Sequence, residues 1–164
     1  MKDYKFYRKN CIDENSGLKT YRNPGDKFGL RRLGKKVSEK FVSEEDKLIG
    51  LVGNPKVGKS ALIEGMLPEL GLTNDDEGIN IRPLPIMIDF KNDIFKSHTY
   101  HLDVLFESAF YPRYMLLRAV NFALTNGKRV VIEHFDIIED KVEIKPDLKV
   151  IINEDICIIR PDKF

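Results

Sequence analysis

The sequence predicts an α/β domain with a mixed, mainly parallel sheet sandwiched by helices, and three observations predict it. The apolar run at residues 48–52, and the run 130–132 within 129–135, are short, continuous and bounded by charge or glycine, as strands buried on both faces are. Stretches with apolar residues at three- and four-residue spacing lie around them, the period of amphipathic helices. A glycine-rich segment, Gly53-Asn54-Pro55-Lys56-Val57-Gly58-Lys59-Ser60, joins the first apolar run to a helical stretch.

Taken in order, residues 1–26 are polar, lack periodicity and end in Asn23-Pro24-Gly25, a turn signal. They read as an irregular or short-hairpin extension, with residues 27–164 forming the domain proper. From residue 27 to 41, Leu30, Leu33, Val37 and Phe41 predict the first helix. LIGLV at 48–52 is the first buried strand. Beyond the glycine loop, Leu62, Ile63, Met66, Leu67 and Leu70 predict a second helix, which Pro68 and Gly71 end. A loop carrying Asp75, Asp76 and Glu77 follows. Residues 85–90 and 99–106 read as two strands of a β-hairpin insertion, joined across Lys91-Asn92-Asp93. Residues 111–126 predict a third helix, with Leu116, Ala119, Val120 and Ala123 on one face and Gly127 just past its end. RVVIEHF at 129–135 is the next strand. Residues 148–152 and 156–159 form a C-terminal β pair around Asn153-Glu154-Asp155.

The segment from Gly53 to Ser60 fits G-x-x-x-x-G-K-[ST] in full, between a strand and a helix. Average composition gives that pattern in about one chain in a hundred of this length, so its position in the correct context is informative. The glycines let successive backbone N–H groups turn inward onto phosphate oxygens, and the helix that follows adds the positive end of its dipole. Lys59 supplies a mobile positive charge for the β- and γ-phosphates, and Ser60 a hydroxyl for Mg²⁺. The expected fold is therefore a P-loop NTPase. The nucleotide-binding set is Gly53, Asn54, Pro55, Lys56, Val57, Gly58, Lys59, Ser60 and Ala61. No N-K-x-D segment for guanine is present, which points to ATP.

Turnover needs acidic groups near the metal and the γ-phosphate. Asp103 lies in YHLDVL, on the face opposite Tyr100, Leu102 and Val104, and Glu133 ends the run Val130-Val131-Ile132. A carboxylate at the C-terminal edge of a parallel strand lies where ligands of open α/β sheets bind. The expected catalytic set is thus Lys59, Asp103 and Glu133, with Ser60, Asp103 and Glu133 around Mg²⁺. Each acid also reads as a strand-end carboxylate in a surface ion pair. His98, His101 and His134 read as structural histidines rather than metal ligands. Arg113 and Arg118 offer a cis arginine or a solvated helix face.

At 164 residues, with 42% hydrophobic and 32% charged content, the chain suits one soluble domain rather than a disordered one. No apolar run reaches the roughly 20 residues a membrane helix needs, and the N-terminus has no apolar signal core. Cys11 and Cys157 match no disulfide or zinc spacing and read as free thiols in a reducing cytosol. A cytoplasmic protein without a membrane role is the expectation. The net charge of +1 is uneven: residues 1–40 hold 12 Lys/Arg against 5 Asp/Glu, and the rest 15 against 21. A basic arm of this kind fits contact with RNA or an acidic partner, or simply a solvated lysine-rich surface.

The order of these motifs resembles the TsaE (YjeE) family, small ATPases of bacterial tRNA threonylcarbamoyladenosine synthesis, from about residue 30 to 159. Leu33-Gly34-Lys35-Lys36-Val37, the P-loop with the ALIEGML that follows, His101-Leu102-Asp103 and Ile132-Glu133 carry the likeness. The resemblance implies ATP and Mg²⁺, Asp103 and Glu133 as the metal and water-handling acids beside Ser60, and a protein or tRNA partner. The chain departs from the family where S-P-T is replaced by Gly78-Ile79-Asn80-Ile81-Arg82-Pro83. It departs again where Leu105-Phe106 replaces Tyr-Arg and His134 replaces tryptophan. Some relatives of this kind are associated with pieces resembling an alanyl-tRNA synthetase additional domain, whose zinc set is absent here. Three readings follow: a slow, partner-driven ATPase, a small kinase moving the γ-phosphate to a metabolite, and a nucleotide-binding scaffold without hydrolysis.

Overall fold

A computed structural model describes residues 18–53, 59–68 and 84–160. Strand β1 (Leu18–Arg22) leads to helix α1 (Lys27–Phe41), strand β2 (Leu48–Gly53) and helix α2 (Lys59–Met66). Helix α3 (Pro85–Lys91), strand β3 (Thr99–Asp103), the four-residue helix α4 (Val104–Glu107) and helix α5 (Arg113–Thr125) come next. Strand β4 (Arg129–Glu133), a 3-10 turn (Phe135–Ile137), and strands β5 (Leu148–Ile152) and β6 (Asp155–Ile159) complete the described chain.

The strands form one six-stranded sheet in the order β1-β6-β5-β2-β4-β3. The β5-β2-β4-β3 block is parallel, and β6 and β1 extend it antiparallel. With β2 central and buried on both faces, its near-continuous apolar sequence is accounted for. On one face, α1 and α2 cover Ile49, Leu51, Val131, Leu148, Val150 and Ile152. On the other, α3 and α5 cover Leu48, Val52, Tyr100, Leu102, Val130 and Ile132. This mixed, mainly parallel, helix-flanked sheet is consistent with a P-loop NTPase-like fold, with β2 and the α2 that follows it at its centre.

The first helix ends where its periodicity ends, and Asp26 caps it by accepting from the Gly29 N–H at 2.6 Å. α1 meets α2 at backbone contact: a Cβ on Gly34 would collide with the Leu62 carbonyl, and one on Gly65 with the Arg31 carbonyl. Glycine at both positions lets the two helices cross this closely.

The structure corrects four expectations. Residues 85–90 are helical, so the β-hairpin insertion is absent. Pro85 stands at the first helical turn, where its missing N–H costs nothing. Ile86, Met87 and Phe90 then face the core together, at helical rather than alternating spacing. The buried Asp89 carboxylate accepts from the Tyr100 hydroxyl and from the Lys96 N–H, tying α3 to β3. Burial, reinforced by the hydrogen bond to Asp89, raises the Tyr100 pKa above its ordinary 10.0.

The second strand of the supposed hairpin stops at Asp103, because that side chain accepts from the Phe106 N–H and opens α4. Within the extension, expected to be irregular or a short hairpin, Leu18–Arg22 is β1, an edge strand paired with β6 of the main sheet, whose Thr20 and Arg22 face solvent. Last, Cys157 is disulfide-bonded, where a free thiol was expected. It is buried on β6 beside Thr20 of β1, so the N-terminal strand runs against it, and Cys11 lies outside the described residues. No helix among the described residues is long and apolar enough to cross a membrane.

Candidate functional site at the carboxyl edge of the parallel strands

β2, β4 and β3 are neighbours and run in the same direction, so their carboxyl ends share one edge of the sheet. Gly53 closes β2 there, and a Cβ on it would collide with the Ile152 carbonyl oxygen of β5. Lys59 begins α2, and Ser60 occupies its first turn with Ala61 buried behind it. Positions 54–58, the middle of the glycine motif, lie outside the described residues.

Register places the two acids. Glu133 pairs with Leu51 of β2, two residues before Gly53, and Asp103 pairs with Glu133. Both lie on the α1–α2 face, because alternation sends Tyr100 and Leu102 to the opposite core. The carboxylates thus stand on adjacent strands at the edge where the glycine loop departs.

Each acid has a histidine. His101, two residues before Asp103 on the same strand face, places Nε2 2.9 Å from Glu133 Oε2. His134 places Nδ1 2.8 Å from Asp103 Oδ1. A carboxylate only accepts, so each ring nitrogen carries the hydrogen that is shared. Glu133 and His134 are buried, 5% and 7% exposed, and Asp103 is partly open. The histidines read as merely structural in the sequence are therefore tied to the two candidate acids. The signal was present as H-x-D on one strand and Glu-His at the end of another. Pairing them requires the strand register. His98 instead contacts Thr99 Oγ1 at the exposed start of β3.

Among the described residues, no group of three or more His, Cys, Asp or Glu is gathered as a metal cage. The donor chemistry still fits Mg²⁺, which prefers hard oxygen ligands and in nucleotide sites takes few from the protein. A first-turn serine hydroxyl and one or two strand-end carboxylates make such a set.

The arginines sort apart. Arg118 lies over the Phe90 ring, 6.0 Å from its centroid, and so packs α5 against α3. Arg113 is exposed at the start of α5. Immediately after Asp103 the surface turns apolar: Leu105, Phe106, Phe110 and Tyr114 are all exposed, and the Phe106 and Phe110 rings lie 5.5 Å apart.

No protein-family model matches the chain, and no curated protein matches it. Among solved structures it is similar to the crystal structure of Bacillus subtilis YdiB, at 14% identity and a TM-score of 0.43. That likeness covers 86% of this chain and 82% of YdiB.

Proposed function

We propose that the protein binds ATP with Mg²⁺ on the loop from Gly53 to Ser60 and hydrolyses it slowly. The observation that carries this reading is the shared edge: the glycine motif leaves β2 beside the carboxylates of β4 and β3. In this reading Asn54, Pro55, Lys56, Val57 and Gly58 wrap the phosphates with backbone N–H groups. Lys59 reaches the β- and γ-phosphates, and Ser60 and Ala61 supply the first-turn N–H groups of α2. Ser60, Asp103 and Glu133 hold Mg²⁺, directly or through water. The ion, when bound, supplies charge neutralisation at the phosphates. Glu133 also orients the water that attacks the γ-phosphorus.

His101 limits what Glu133 does by holding one of its oxygens, which aims the carboxylate. A protein or RNA partner that stimulates turnover completes the reading, by resemblance. The exposed Leu105, Phe106, Phe110 and Tyr114 beside Asp103 offer apolar surface for such a contact. Arg118, held over Phe90, gives no support to the kinase alternative, which needs arginines around the γ-phosphate. A non-hydrolysing scaffold remains the reading to which failure of turnover would lead.

Calorimetric titration of ATP, ADP and GTP with Mg²⁺, followed by phosphate release, tests this. Lys59→Ala should weaken ATP binding by about 10- to 150-fold, the loss of a hydrogen bond to a charged group. Glu133→Ala should leave binding within about threefold and slow phosphate release by about 100-fold, as loss of an interaction made in the transition state does. Unchanged affinity in Lys59→Ala would overturn the site, and equal losses in Glu133→Ala would make that residue structural.

A further inference from the structure

His134 is in the left-handed backbone region, φ 56° and ψ 41°, where a residue with a Cβ is uncommon. Asn or Gly would take this conformation at lower cost. The turn nonetheless holds an imidazole, almost wholly buried. Its direction explains what that accomplishes. β4 ends at Glu133, the chain bends through His134, and the His134 carbonyl accepts from the Ile137 N–H at 3.1 Å as the 3-10 turn closes. The bend sends the ring sideways to β3, where Nδ1 donates to Asp103 Oδ1 at 2.8 Å.

The same Oδ1 accepts from the Phe106 N–H at 3.1 Å, so Asp103 is pinned from two directions, by the start of α4 and by His134. Asp103 and Glu133 are the last register pair of β3 and β4. The bond therefore straps the two acidic strand ends together at the edge where the glycine loop departs. A ring that only filled space would need no donor aimed at that carboxylate, and strained backbone of this kind is kept where the surroundings over-determine it.

Resting on the proposed ATPase reading, we infer that His134 is a positioning residue that fixes the Asp103 carboxylate for Mg²⁺-dependent turnover of the nucleotide. It acts through Asp103 and touches neither phosphate nor metal. His134→Phe keeps a ring and removes the donor. His134→Asn places an amide N–H near the Nδ1 position and tolerates the left-handed backbone.

Phosphate release, Mg²⁺ dependence and thermal melting are measured for both variants. His134→Phe should lower kcat, or raise the half-saturating Mg²⁺ concentration, by about 10- to 100-fold, the usual loss when the partner of a metal-site ligand is removed. KM for ATP should stay within about threefold, as for an interaction absent from ground-state binding. His134→Asn should recover most of that loss. Nitrogen-15 imidazole spectra give a readout independent of activity: wild type should show the Nδ1–H tautomer at His134, and Asp103→Ala should shift it.

Wild-type kcat and Mg²⁺ dependence in His134→Phe would overturn the inference, as would a folded His134→Asn with no recovery. If His134→Phe fails to fold, the Asn variant and the tautomer spectra decide alone. Wild type that binds no nucleotide would sink the ATPase reading and this inference with it. Active wild type with an indifferent His134→Phe would sink the inference only.

Discussion

The two ends of the parallel strands give their acids different partners. At the amino end, Asp46 is 3% exposed and its Oδ2 accepts from Arg160 Nη1 at 2.6 Å and from the Ser43 N–H at 2.8 Å. Arg129 donates from Nε to the Asp46 carbonyl and from Nη2 to the Ser43 carbonyl, and Arg160 also reaches the Phe41 carbonyl. Asp147 completes this end by accepting from the N–H groups of Lys47 and Leu48. At the carboxyl end, Glu133 and Asp103 have imidazoles instead. A guanidinium is permanently charged and offers several N–H donors in a fixed fork, whereas each imidazole here meets its carboxylate through one ring nitrogen. At the amino end the acids are engaged by backbone N–H groups and Arg160. At the carboxyl end each acid meets a single ring nitrogen.

The largest expected effect separates the two ends. Asp46→Ala leaves Arg160 buried without its carboxylate and should cost about 3–5 kcal/mol of stability. Nucleotide affinity of the folded fraction should be unchanged, as thermal melts and calorimetry would show. Parallel losses of stability and affinity would break the comparison. Asp103→Asn reverses the pattern: it should cost only about 1 kcal/mol, on the scale of a weakened helix cap, while phosphate release falls far more.

A further test, on stability alone, probes a third acid, Asp89, whose partner is the Tyr100 hydroxyl. Tyr100→Phe should cost about 1–2 kcal/mol, the loss of a hydrogen bond to a buried charged group. The sign with pH follows from the raised Tyr100 pKa. The unfolded chain releases this proton near pH 10 while the native one retains it. The contribution is therefore complete below pH 10 and lost as pH rises beyond it. Wild type should lose stability more steeply than Tyr100→Phe above that pH in chemical denaturation.

Much of this was legible in the sequence because it is local. α1, β2, β4, β5 and β6 follow from apolar period and punctuation, and the motif from Gly53 to Ser60 from its spacing. The misread segment, Pro85–Lys91, is an apolar run of the length at which strand and helix patterns cannot be told apart. Pro85 at the first turn and the acid at position 89 were its helical signals. β1 escaped because an edge strand with one solvated face has little apolar pattern to show. The histidine–carboxylate pairs were out of reach for a different reason. His101 and Glu133 are 32 residues apart, and their meeting depends on which strands lie side by side and in what register. Residue types announce the chemistry available, and topology decides which groups share it.

Gly50 lies on β2 one residue before Leu51, the register partner of Glu133. A Cβ there would run into the Phe135 ring, so the bare backbone of one strand is a socket for the turn that follows another. The ring is fully buried and sits next to His134 in sequence. A methyl group at position 50 would push that plug outward and turn the neighbouring bend with it. A residue with no side chain thus makes room on β2 for the ring that follows β4 and the His134 bend. Variation at this position should be limited by the alignment of the site and not by packing volume alone.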